Sequence, residues 1–146
     1  MKNQLLILSL IIFPFQIVFG QKAHGPEITF EETTHSFGNI SKDDTSIKYG
    51  LLMHEFRFKN TGDEPLYIYS AESSCGCHCG HGPKDPVQPG KIGVIHYSYS
   101  AKHIGGIREH NLQVVSNAKT PIVRLKGCGY IYDQCDTLLP TNPHCK

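Results

Sequence analysis

The stretch LMHEFRFK, residues 52–59, alternates without a break. Leu52, His54, Phe56 and Phe58 fall on one side of an extended chain and Met53, Glu55, Arg57 and Lys59 on the other. This period of two predicts a strand with an aromatic face turned inward and a charged face toward water. Asn60-Thr61-Gly62-Asp63 then supplies the residues that reverse a chain.

The same pattern spreads in both directions. Upstream, Ile28 and Phe30 open a first strand; Phe37 and Ile40, straddling Gly38 and Asn39, read as its kinked continuation, and a polar turn follows over 41–46. Downstream, Leu66 and Ile68 line a strand that ends at Glu72, Ser73 and Ser74, before a Cys-rich loop. From Lys91 the alternation resumes with Ile95, Tyr97 and Tyr99 inward, a Gly105-Gly106 turn, Leu112 and Val114 inward, a turn over 116–119, and Val123 and Leu125 on the last strand. No stretch carries a helical period. About seven short strands at this spacing predict an all-β chain, an immunoglobulin-like β-sandwich.

The ends read differently. Residues 1–20, MKNQLLILSLIIFPFQIVFG, place one Lys before an apolar run and read as a signal peptide cut between Gly20 and Gln21. Pro14 and Gln16 shorten the clean apolar stretch below the roughly 20 residues of a spanning helix, and no Cys lies near the cut for lipid attachment. The expected organisation is a leader over 1–20, a sandwich domain over 21–132, and a tail over 133–146 with two Pro, two Cys and no periodicity. Secretion or export to a periplasm places the cysteines where disulfides persist. Of the 146 residues, 14 are Lys or Arg and 13 Asp or Glu, a balance that excludes a strongly basic nucleic-acid binder.

Strand directions place sequence at the two ends of the sandwich. With 60–63 called the bottom, the strand from Pro65 rises and brings residues 75–81 to the top. If the strand from Lys91 descends and the one from Arg108 rises, the last strand descends and Cys128 lies near the bottom, about 20 Å from Cys75 at roughly 3.3 Å per residue. A disulfide spans only about 4.4–6.8 Å between Cα atoms, so the partners expected for Cys128 are in the tail.

The segments ITFEETTHSFGNI (28–40), FRFKNTGDEPLYI (56–68), SSCGC (73–77), PVQPGKIGVIHYSYSA (86–101), VVSN (114–117) and PIVRLKG (121–127) together resemble the bacterial family called domain of unknown function 1573. The resemblance implies an exported immunoglobulin-like sandwich with no established activity. It also exposes two departures. After Cys75-Gly76-Cys77 the family continues with Thr and apolar or Pro-rich residues, where this chain reads HCGHG, and the Cys-bearing tail is additional.

That loop is where chemistry is expected. Cys75, Cys77, His78, Cys79 and His81 lie within seven residues, interleaved with Gly76, Gly80 and Gly82. Fully extended, the three Cys project to one side; a reversal at the glycines would converge thiolates and imidazoles on one ion. Such donors suit copper or zinc, although a single residue between Cys is shorter than the two to four of structural zinc sites. Against this stands a plain disulfide framework, with 15 pairings open to six Cys. Cys135 and Cys145 would close a loop of about ten residues, worth roughly 2–3 kcal/mol. A thiol-redox enzyme lacks the strand-to-helix CxxC setting, and no GxSxG or HExxH motif is present.

The other histidines read as structural: His54 and His110 as hydrogen-bonded core or edge residues, His96 as outward, and His24, His35, His103 and His144 in termini or turns. Tyr67 and Tyr69 alternate opposite to Leu66 and Ile68 and are expected at the surface, where a tyrosine pair suits a partner. The leading expectation is a non-enzymatic structural or interaction module for a protein or cell-envelope component. Its alternative is a copper or zinc protein using residues 75–81.

Overall fold

A computed structural model describes residues 24–42, 51–73, 78–100 and 105–132, the side chains of residues 78 and 79 excepted. The leader and the tail lie outside the described residues. Eight strands are formed among them: β1 (Ile28–Phe30), β2 (Thr34–Ser41), β3 (Leu51–Asn60), β4 (Ile68–Ser73), β5 (His78–His81), β6 (Ile92–Ser100), β7 (Gly106–Ser116) and β8 (Ile122–Tyr132). The expected all-β sandwich is the fold observed.

The hydrogen-bonded order is β1-β3-β6-β5-β4-β7-β8-β2. A single register pair, Glu72 with Cys79, joins β4 to β5, so the ladder creases there into two layers. One layer holds β1, β3, β6 and β5, the other β4, β7, β8 and β2. Phe56, Phe58, Ile95 and Tyr97 from the first pack in one cluster with Leu112, Val114, Leu125 and Ile131 from the second. The alternation that begins at Leu52 is therefore the core face: Phe56 and Phe58 are fully buried, and Met53 on the opposite side is 57% exposed.

Three elements differ from the expectation. Residues 28–40 are not one kinked strand. β1 pairs antiparallel with β3, whereas β2 pairs parallel with β8 in the other layer. The crossing is fixed at both ends, because the Glu31 amide donates to Arg57 O at 3.0 Å and the Lys126 amide donates to Thr33 O at 2.8 Å.

Residues 78–81 form β5, an extended strand between β4 and β6. Gly80 and Gly82 serve close packing here, not reversal. A Cβ at Gly80 would stand 2.5 Å from Ala71 O and 2.7 Å from Leu112 Cδ1, and one at Gly82 would stand 2.7 Å from Ile68 Cγ2.

This extra strand inverts every direction after it. β5 descends, β6 rises from the Gln88-Pro89-Gly90-Lys91 turn, β7 descends and β8 rises. Gly90 takes the positive φ of 76° that the third residue of such a turn requires. Cys128 pairs with Glu109, three residues beyond the Leu112–Leu125 level that Ser73 shares. Cys128 thus lies toward the same end as Ser73 and His78, about 10 Å beyond the Ser73 level. The 20 Å separation that pointed it to the tail does not hold.

β8 also outruns its visible alternation. Gly127 and Gly129 occupy inward positions between Leu125 and Ile131, and the space a Gly127 Cβ would take is filled by Tyr97 Oη at 2.5 Å.

Candidate functional site

The crossing from β1 to β2 brings three polar side chains together on the open side of the sandwich. Glu32 sits in the crossing, His35 is in β2 rather than in a turn, and His54 comes from β3. The imidazoles of His35 and His54 stack with centroids 3.5 Å apart and planes 10° from parallel. Glu32 Oε1 lies 2.7 Å from His54 Nε2 and 3.5 Å from His35 Nδ1. Phe37 and Phe56 present edges to the two rings, Phe37 to His35 at 4.8 Å and Phe56 to His54 at 4.7 Å, so each ring is braced by its own strand. Burial, and then the neighbouring His54, hold the His35 imidazole below its ordinary pKa, against the opposing pull of Glu32. Sequence spacing gives no sign of this group, since its members are 22 residues apart at the widest and meet only because β1 and β2 belong to different layers.

Beside this cluster runs an open sheet edge. β3 pairs with β6 over Leu51–Lys59 but with β1 only over Phe58–Asn60. The Asn60 amide donates to Lys91 O, so even-numbered β3 residues bond toward β6 and odd-numbered ones point away. Arg57 O is taken by the Glu31 amide. Above it, the backbone N–H and C=O of Met53 and Glu55 have no strand beside them among the described residues. At the far end of the order, the terminal strand β2 is interrupted by a register shift between Ser36 and Asn39, where Gly38 has φ of 71° and its amide turns back to Ser36 Oγ. Such bulges blunt an edge; the β3 edge has none.

His81 is exposed in β5, and His78 and Cys79 share that strand's extended backbone. Cys75 and Cys77, with the side chains of His78 and Cys79, lie outside the described residues, as do His103 and His144. Cys128 is buried and disulfide-bonded. His96 faces outward beside Glu55 at 3.4 Å. Tyr67 and Tyr69 are exposed, at 47% and 66%. A polar groove of about 610 Å³ crosses the outer face of β4, β7 and β8. Glu72, Gln113, Arg124 and Lys126 line it with both signs of charge.

His110 lies against Tyr99, ring centroids 4.0 Å apart, on the inner face near Arg108. Burial first, and the Arg108 cation second, lower its pKa from 6.5. The folded ring therefore resists a proton that the unfolded chain accepts. Stability from this group is complete above pH 6.5 and is lost as pH falls through that value toward the folded pKa. Thermal melts across this range should fall more steeply for the wild type than for His110→Gln; equal slopes would contradict the assignment.

The family model described as "Protein of unknown function (DUF1573)" matches residues 28–131. No curated protein matches the chain. Among solved structures, the fold is similar to a protein of unknown function from Porphyromonas gingivalis W83, with a TM-score of 0.60 at 14% identity over 75% of this chain and 48% of that one. This chain thus spans about half the length of that relative. It is also similar to the secreted serine protease VesC of Vibrio cholerae, with a TM-score of 0.54 at 12% identity over 76% of this chain and 24% of that chain. The ASH / PapD-like domain of human CEP192 gives a TM-score of 0.51 at 8% identity over 73% of this chain and 86% of that one. At these identities the similarity is one of fold.

Proposed function

We propose that this chain, which belongs to the DUF1573 family, is an exported, non-enzymatic interaction module that takes an extended segment of a partner protein along the upper edge of β3. The observation that carries the reading is the outward-pointing backbone of Met53 and Glu55, beside which no strand lies among the described residues. An added strand satisfies such groups with main-chain bonds, while alternate side chains set specificity. Met53, exposed on the outer face, offers apolar contact to a side chain of the incoming strand on that face. The leader pattern of residues 1–20 supports export.

Peptides selected from a displayed library on the full chain test this. Met53→Pro and Glu55→Pro each remove one outward N–H and leave the bonds to β6 intact, a placement that edge strands tolerate. Binding by selected peptides is expected to fall at least tenfold in both proline variants and to persist in Met53→Ser, with all three melting as cooperatively as the wild type. Peptides that bind the proline variants undiminished would refute the edge as the docking site.

A further inference from the structure

We infer that Glu32, His35 and His54 form a binding site for a divalent transition-metal ion of the zinc class. The site is distinct from the Cys-rich segment and independent of the β3 edge reading.

One donor atom from each residue lies within 4.8 Å of the other two. Metal-to-donor distances of about 2.0–2.2 Å put neighbouring donors of a tetrahedral shell roughly 3.3–3.6 Å apart. The 3.5 Å from Glu32 Oε1 to His35 Nδ1 falls within that spacing, and the 2.7 Å to His54 Nε2 is shorter than it by less than about 1 Å. Side-chain rotation is therefore enough to admit an ion, and the strands need not move.

Two imidazoles with one carboxylate form a three-ligand set that leaves a further position for water or an outside donor. Calcium and magnesium want a shell of oxygens and are poorly served. The ligands are accessible, with side-chain exposures of 46% for Glu32, 30% for His35 and 19% for His54. They are also held from behind by the edges of Phe37 and Phe56.

Two parallel rings cannot both aim an in-plane lone pair at one ion, so binding must splay the His35–His54 stack. The ion would then tie β2 to β3 across the open side of the sandwich.

The test is zinc titration of the full chain, wild type against Glu32→Gln and His35→Asn, both at accessible positions, with His54→Gln as the more buried third variant. Wild type is expected to bind one zinc per chain and to melt higher with it. Affinity should fall in Glu32→Gln and His35→Asn by at least the roughly 10- to 100-fold that loss of even an outer-shell partner costs. Cobalt(II) loaded in place of zinc should show ligand-field bands without an intense thiolate charge-transfer band. Failure to bind zinc at millimolar concentration overturns the inference. So does stoichiometric binding that survives both substitutions, or a strong thiolate band, which would put the ion on cysteine.

Discussion

Replacing Asn60 by leucine is expected to lower stability by about 3 kcal/mol, although leucine keeps the branched outline of this fully buried side chain. The amide of this side chain ties together the lower end of the sandwich. Nδ2 donates to Glu64 O and Val87 O, both at 2.8 Å, and Oδ1 accepts from the Gly62 amide at 3.0 Å. Leucine removes all three bonds; Val87 O keeps the Leu66 amide at 3.0 Å, while Glu64 O and the Gly62 N–H lose the bond Asn60 made to them, each loss costing about 1–3 kcal/mol where water cannot reach. The turn has no slack to compensate, because a Cβ at Gly62 already falls on the backbone of Gly25, Pro26 and Glu27. Urea unfolding measures the loss. Asn60→Asp, which keeps the acceptor for Gly62 but turns a carboxylate oxygen onto two carbonyl oxygens, should cost at least as much; a leucine variant within about 1 kcal/mol of wild type would contradict the assignment.

Phe56→Ala should cost about 3–5 kcal/mol, the range for deleting a fully buried aromatic side chain. Phe56 has no exposed surface and meets His54 edge-on at 4.7 Å and Tyr97 at 5.9 Å, so its loss opens a cavity between the layers. It also removes the brace behind His54. Phe56→Leu, which fills most of the space, should recover more than half of the loss in the same unfolding experiment. Equal losses for alanine and leucine would mean that ring contacts, not volume, carry the site.

How much of this was legible in the sequence depends on what each residue leaves in its pattern. Phe56, Phe58, Ile95, Tyr97, Leu112, Val114 and Leu125 advertise their faces by alternation, and all are buried. β5 leaves no such mark. Its inward place beside Leu112 is held by Gly80, because β5 packs too closely for a side chain, and glycine there reads as loop. Missing one strand reversed the directions of the next three and sent Cys128 to the wrong end. Gly127 and Gly129 hide the upper half of β8 in the same way.

The switch of β2 to a parallel pairing with β8 is a contact between residues more than 90 apart in sequence, as between His35 and Gly127, and no local signal encodes it. The cluster of Glu32, His35 and His54 follows from that switch, so it was invisible for the same reason. His54 was legible as an inward residue of β3, but its partners were not.

Amide hydrogen exchange on the full chain tests the open edge most directly. The amides of Leu52, His54 and Phe56 bond toward β6 and should exchange slowly, while those of Met53 and Glu55 should exchange orders of magnitude faster and become protected when a selected peptide binds. Met53 and Glu55 amides as protected as their neighbours in the free protein would contradict the account, because another strand would already occupy the edge.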